Sequence, residues 1–408
     1  MQSNGKVTAS IGGGVYREVC NAYLNWNHVY GSGLRSLLLF QAFNDYEHLN
    51  FYSSCHETRL SIPYKYKDEK ITFCLQDGVD VIFNYEHPFR MSNIIPRPDY
   101  LFAHKKEISI VDRNVLIFGM VDADFTVEAD KVVFDPQTIV MPTHFSKRSY
   151  AKQLVYILNF QEAQVLSSEK KLINIRDFFF DIEKCFAVII KMGTQGAVLY
   201  RSKVDEGIHI PVYKTEHVFT IGSGDVFTST FAHDWFKGLD IVTSACNASK
   251  VVACYSNNGG NINQLLDDLS SFNFSAFVPK TEIGQIYLAG PFFTFEQKWI
   301  INEFFGALKD CGAKVFSPLH CVGVGKPVEV VEPDIKGLKN SKVMLAILES
   351  SDIGTIFEVG YAIAIGKKVV AYIENIDSDD LTMLIGTGCD IEKDFTTAVY
   401  KACWYAYE

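Results

Sequence analysis

Two carboxylates, Asp352 and Glu358, lie within the stretch Ser351-Asp352-Ile353-Gly354-Thr355-Ile356-Phe357-Glu358-Val359-Gly360-Tyr361-Ala362. The apolar run before it, Val343 to Leu348, reads as a buried strand. The small residues from Gly360 to Ile365 read as a helix packed close to a sheet. Asp352 then falls in a loop and Glu358 near a first helical turn, the kind of junction at which open α/β sheets bind ligands. Carboxylates in that place suit substitution at an anomeric carbon, which needs a nucleophile on one face and proton management at the leaving group. Glu358 is the candidate nucleophile, and Asp352 would orient the substrate or handle a proton. Asp334 supplies a third carboxylate ahead of a strand leading to the same rim. Tyr287 brings a phenol beside Glu358 from the first strand of this half. Taken singly, Asp352 reads better as a helix cap and Glu358 as an acid favouring the helix dipole. The ordered set is what points to chemistry.

A second constellation lies upstream. Thr220-Ile221-Gly222-Ser223-Gly224-Asp225 is a Gly-flanked turn running into a helix. Backbone N–H groups of Gly222, Ser223 and Gly224 would hold the charge that builds on a transferring phosphoryl group. Asp225 at the helix start would accept the proton of an attacking hydroxyl. Asn159 and Glu162 follow a strand and suit Mg2+ held through water. Lys191, Gly193 and Gly196 form a strand, turn and strand near a nucleotide, and Asn257 and Gly259 would border an adenine. A Gly turn with an Asp cap explains the central motif equally well when it is taken alone.

The elements that must position these residues alternate. Strands are expected at Val115 to Gly119, Lys131 to Phe134, Tyr156 to Asn159 and Phe186 to Lys191, with helices between them. Leu49 to Tyr85, polar and alternating, reads as short antiparallel strands, a flap over a pocket. After a connector near Pro279 to Gly284 the rhythm restarts, with strands at Gln285, Ala313, Val343 and Lys368 and a short helix at Ile335 to Asn340. This pattern predicts an α/β protein of two domains, 1–278 and 284–408, each with a mostly parallel sheet. The 408 residues agree with two domains. The charge of -10 argues against a nucleic-acid polymer as partner. The 10 Cys, without a C-x-x-C pair, read as reduced thiols, and no signal core or membrane span is evident. The expectation is a cytoplasmic protein with no membrane partner.

Tyr287-Leu288-Ala289-Gly290-Pro291-Phe292-Phe293, Phe316-Ser317-Pro318, Asp334-Ile335-Lys336-Gly337 and the Asp352 to Ala362 stretch, in that order, resemble the nucleoside 2-deoxyribosyltransferase family. The resemblance implies a compact Rossmann-like, flavodoxin-like domain without a cofactor. It further implies that Glu358 forms a glycosyl-enzyme intermediate while Tyr287 steadies it. Asp352 would contact the sugar, Asp334 would help protonate the departing base, and Gly290, Pro291, Gly354 and Thr355 would line the pocket. Family members often borrow an Asn from a neighbouring subunit. The matching stretch here, Asp380 to Ile385, has none, and a homo-oligomer through this domain is still implied.

The order of the upstream motifs, clearest from Val132 to Gly260, is similar to the ribokinase-like (PfkB) sugar kinase family. That implies an α/β sandwich with a small β flap, ATP and Mg2+ as cofactors, Asp225 as catalytic base and Gly222 to Gly224 as anion hole. Three departures stand out: Phe219 where the family carries an Asp, Arg35 where it carries an Asn, and Glu18 where it carries a sugar-binding Asp.

Together these resemblances imply a bifunctional enzyme. The C-terminal domain would cleave or transfer the N-glycosidic bond of a nucleoside or nucleotide, and the N-terminal domain would phosphorylate a sugar or nucleoside hydroxyl. The alternative is a kinase-like domain that senses a ligand or serves assembly, controlling a nucleotide-degrading effector, as in a defence complex. Either way the partner is a small-molecule nucleoside, nucleotide or sugar.

Overall fold

The structure, a computed structural model, describes residues 6–23, 26–56, 62–137, 143–280, 283–349, 352–374 and 381–408. Ser351 and Asp380, named above, lie outside them. The chain is α/β, as its alternating pattern predicts, and it divides into two compact units. The first is Met1–Thr215 with Phe219–Ala276, and the second is Glu216–Val218 with Phe277–Glu408.

The first unit is built on a 9-stranded sheet. Its order runs Ile208–Ile210, Ala197–Tyr200, Ala187–Lys191, Tyr150–Asn159, Ala123–Asp135, Lys106–Phe118, Val7–Gly12, Tyr46–Cys55, Ile71–Asp77. Only the pairs made by Ala197–Tyr200 are antiparallel. Period-two alternation distributes the side chains to two cores. Val155, Ile157 and Ile189 face helices Gly31–Phe43 and Ser223–Phe236 and meet Leu37, Phe40 and Phe231. Tyr156, Leu158 and Val188 face the other way, toward Ile175 and Phe179 of helix Leu172–Asp181.

Lys106 pairs with Ala123 and Phe118 with Asp135, in parallel, although only residues 119–122 join the two strands. A straight 13-residue strand would be about 40 Å long, and five Cα steps cover at most about 19 Å. The strand therefore bends back on itself at Arg113, the position its ladder skips. The bend brings Gly119 beside Asp135, whose carbonyl accepts the Gly119 N–H at 2.8 Å.

The flap expectation is corrected in detail. Tyr46–Cys55 and Ile71–Asp77 join the main sheet in parallel, because Leu49 and Phe51, both fully buried, have a helix-covered core to face. A separate 4-stranded sheet does exist, in the order Asn27–Val29, Arg17–Cys20, Ile82–Tyr85, Asn93–Ile95.

The second unit has a 5-stranded parallel sheet, Lys314–Phe316, Gln285–Ala289, Val343–Ile347, Lys368–Tyr372, Asp390–Glu392. The strand order reverses after the first strand in sequence, so a crevice opens beyond the carboxyl ends of Gln285–Ala289 and Val343–Ile347. The helix expected at Ile335 to Asn340 is longer, Pro327–Asn340. Pro327 at its first position and the Glu329 carboxylate, which accepts the Lys326 N–H at 3.2 Å, start it early. Asp334 consequently sits on a helix rather than ahead of a strand.

Candidate functional sites

In the second unit, Gln285–Ala289 places Tyr287 at the sheet centre, where it is fully buried. Its ring stacks on Phe316 from the neighbouring strand, with centroids 5.6 Å apart and planes at 12°. Gly337 makes room for Phe316, since a Cβ there would come within 2.4 Å of the ring. The Tyr287 hydroxyl donates to Glu358 Oε1 at 2.5 Å. Glu358 lies on helix Ile353–Ala364, whose N-cap is Asp352. Burial pushes Glu358 up to about 7; the tyrosine hydrogen bond opposes that shift, and the charges of Asp334 and Asp352 add to it. Burial, with Glu358 next to it, holds the phenol well above its ordinary value, so Tyr287 stays a donor.

Asp334 shares this electrostatic neighbourhood, and burial pushes it up to about 6. Its Oδ1 is buried and has no hydrogen-bond partner. An orphaned buried oxygen is costly unless a ligand satisfies it. Asp352 fills the role of a cap, accepting from Thr355 N at 2.8 Å and Thr355 Oγ1 at 2.9 Å. That use occupies the Thr355 side chain, which is buried, and Gly354 is exposed in the first turn. Gly290 and Pro291 follow the Tyr287 strand. A Cβ on Gly290 would meet Ile301 at 2.7 Å, so the backbone there must run against helix Phe295–Asp310.

In the first unit, a cavity of about 440 Å3 lies among strand ends, two helix starts and the small sheet. Gly222, Gly224, Asp225, Asn159, Glu162 and Lys191 all line it. Ser223, Gly193, Gly196, Asn257 and Gly259 do not belong to its lining. The Ser223 hydroxyl donates to the Thr220 carbonyl at 2.8 Å. Asn159 and Glu162 form a reciprocal helix cap, each side chain accepting the other's backbone N–H at 2.8 Å. Lys191 Nζ donates to Asp135 Oδ2 at 2.8 Å, and Thr228 Oγ1 donates to the same oxygen at 2.9 Å. Burial, then the Asp135 charge, pushes Glu162 up to about 7. Asp135, Glu162 and Asp225 thus present oxygen donors to one cavity, which Lys191 shares. That donor set fits a hydrated Mg2+.

Arg35 is the side chain whose place the sequence did not reveal. It is 1% exposed. Its Nη2 donates to Glu18 Oε2 at 2.5 Å and its Nη1 to Asp225 Oδ2 at 2.5 Å. Asp225 Oδ1 accepts from Gln137. Gly222, with φ of 76°, lies against the guanidinium, and a Cβ there would fall 2.2 Å from Cζ. Phe219, another departure from the family pattern, is buried among Tyr23, Trp26 and Tyr255. Sequence reasoning missed Asp135, Gln137 and Thr228 as site residues. The signal available was Asp135-Pro136-Gln137 ending an apolar parallel strand.

Among the described residues, no cluster of His, Cys, Asp and Glu has the geometry to hold a metal ion directly. No helix among them is long and apolar enough to cross a membrane.

No curated protein matches the chain. Among solved structures it is similar to ribokinase from Thermotoga maritima, at 13% identity over 65% of this chain and 99% of that one, with a TM-score of 0.48. It is also similar to a fructokinase double mutant from Vibrio cholerae O395 bound to fructose, ADP and potassium, at 10% identity over 66% and 99%, TM-score 0.49. A third is aminoimidazole riboside kinase from Salmonella enterica with aminoimidazole riboside and an ATP analogue, at 12% identity over 65% and 99%, TM-score 0.48. Residues 130–267 match the pfkB family carbohydrate kinase model, and residues 286–394 match the nucleoside 2-deoxyribosyltransferase model.

Proposed function

We propose that the second unit breaks the N-glycosidic bond of a nucleoside or nucleotide through Glu358. The observation that carries this reading is the 2.5 Å hydrogen bond from Tyr287 to Glu358, beside an Asp334 oxygen with no partner. The phenol orients the carboxylate and favours its charged form, leaving the nucleophile aimed at the anomeric carbon. Asp334, held near 6, retains a proton long enough to protonate a departing base. Asp352 keeps the helix start in place and contributes charge to Glu358. The sugar passes from Glu358 to a second base or to water. Exposed Ile353, Ile356 and Phe357 on the Glu358 helix support a homo-oligomer through this unit.

For the first unit, the family match supports ATP-dependent phosphorylation of a sugar or nucleoside hydroxyl, with Asp225 as base. Asn159, Glu162 and Asp135 would hold Mg2+ through water, a charge that offsets the phosphates of ATP when it is bound. The functional division would then follow the two domains, 1–278 and 284–408. A second reading, a domain that senses ligand without phosphorylating it, is favoured by one observation: both Asp225 oxygens are already engaged, by Arg35 and Gln137.

Product analysis tests both halves. Nucleosides and deoxynucleoside monophosphates are incubated with the protein, with and without ATP and Mg2+, and the products are resolved. Glu358→Ala should abolish base release, and persistence of release would remove Glu358 from the role of nucleophile. Any ATP-dependent product should vanish in Asp225→Asn.

A further inference from the structure

We propose that Arg35 clasps the first unit's cavity shut over an uncharged polyhydroxylated ligand, a sugar or nucleoside, which is held there without being phosphorylated. The inference rests on the ligand-sensing reading of this unit and assigns its ligand class and its control.

Arg35 ties three elements together. It rises from helix Gly31–Phe43. It reaches Glu18 on strand Arg17–Cys20 of the small sheet and Asp225 at the start of helix Ser223–Phe236. The Gly31 N–H, at the start of the first helix, also donates to Glu18 Oε1, at 3.1 Å. Two helix N-termini and one guanidinium thus converge where a ligand anion would be expected, and the chain fills that place with its own Glu18 and Asp225. The cavity as a whole is lined by four carboxylates and three cationic side chains. A phosphate entering would meet the carboxyl groups of Asp135, Glu162 and Asp225, while Arg35 is already paired with two carboxylates.

What remains available is neutral hydrogen bonding. Gln137, Asn159 and Gln161 bring side-chain amides to the cavity lining. Tyr16 and Phe83, with ring centroids 5.1 Å apart, supply an apolar wall. Donors, carboxylate acceptors and an aromatic wall together suit the hydroxyls and flat faces of a sugar or nucleoside. Phosphorylation would form a bond from the ligand oxygen to the γ-phosphorus of ATP, break the bond to ADP, and send the hydroxyl proton to Asp225. Arg35 holds Asp225 Oδ2 and Gln137 holds Oδ1, so a ligand hydroxyl must displace or crowd past one of these donors to hand its proton to Asp225.

The charge-balanced pair Arg35→Asn with Glu18→Gln keeps the triad's net charge and leaves Asp225 as its single carboxylate. Arg35→Lys keeps a buried cation but cannot span two carboxylates as a fork does, and it serves if the double variant fails to fold. Three measurements are made on the full chain. Calorimetry should show wild type binding a nucleoside or free sugar at least ~10-fold more tightly than the corresponding monophosphate, the size expected of one unfavourable buried charge contact. Phosphorus NMR with ATP and Mg2+ should show no ligand phosphorylation by wild type and, in the double variant, a rate about 100-fold above background, the low end of what a freed base supplies. Hydrogen exchange at residues 17–20 and 27–29 should be faster in either variant than in wild type.

Wild-type phosphorylation matching that of the double variant, or preference for the monophosphate, overturns the proposal. So does unchanged exchange in a folded variant. The exchange arm uses no ligand, so it judges the clasp separately from the reading of the cavity as a ligand site. An absence of binding by every sugar and nucleoside would refute that reading alone.

Discussion

Replacing Tyr287 with Phe removes one hydroxyl and little else, because the ring stays stacked on Phe316 and buried at the sheet centre. That hydroxyl is the group that opposes burial in setting Glu358 near 7. A hydrogen bond to a charged group contributes about 1.5–3 kcal/mol, and about 1.4 kcal/mol corresponds to one pKa unit. Losing it should move Glu358 up by roughly one to two units. At pH 7 the ionised fraction then falls from about half to about a tenth or a hundredth. Base release at pH 7 should drop roughly 5- to 50-fold and recover most of the deficit by about pH 9. The assay is the pH profile of kcat/KM for wild type and Tyr287→Phe, whose acid limb reports the free enzyme's essential base. An acid limb that stays put, or a loss equal at every pH, would refute the claim that Tyr287 acts by tuning Glu358.

Two further outcomes follow from the same geometry. Glu358 has a folded value raised above its unfolded one, so its ionisation opposes folding. The penalty is absent below the unfolded value near 4.5 and develops as pH rises through about 7. Glu358→Gln should therefore raise the melting temperature at pH 8 but not at pH 4; the gain is on the order of 1–2 kcal/mol once partial solvent access is allowed for, and an equal shift at both pH values would contradict the linkage. Gly337→Ala forces a Cβ to within 2.4 Å of the Phe316 ring. It should cost about 1–3 kcal/mol by chemical denaturation and lower kcat more than it raises KM, because the displaced ring no longer supports Tyr287; unaltered activity would show that the stack does not position the phenol.

The order of chemical motifs was legible because each is local. A strand ending before Asp352, a helix carrying Glu358 and a glycine turn before Asp225 are patterns within a dozen residues, set by periodicity and capping. The α/β architecture was legible for the same reason, since apolar strands alternating with helices leave few other ways to bury both faces. Asp334 was assigned to the right neighbourhood on the wrong element, because Pro333 reads as a helix breaker and the cap at Lys326 lies outside its local pattern. The polar stretch from Leu49 was read as a flap, because burial by a distant helix cannot be seen in alternation.

The sequence by itself determined which groups are present and, for all but Asp334, the local element that carries each. Glu358, Tyr287, Asp225 and Lys191 were all chosen by residue type and spacing. Only the tertiary structure decided what each group does with its neighbours. Arg35 and Asp225 are 190 positions apart and Tyr287 and Glu358 are 71 apart, yet both pairs meet at 2.5 Å. Contacts of that separation depend on how sheets stack and helices dock, which no local pattern encodes. Their energies also depend on burial, which raises Glu358 and Glu162 to about 7 and makes the Arg35 fork strong. The chain carries the acids and the bases in its sequence; the fold chooses which acid keeps a free oxygen, Asp334, and which is held by a cation, Asp225.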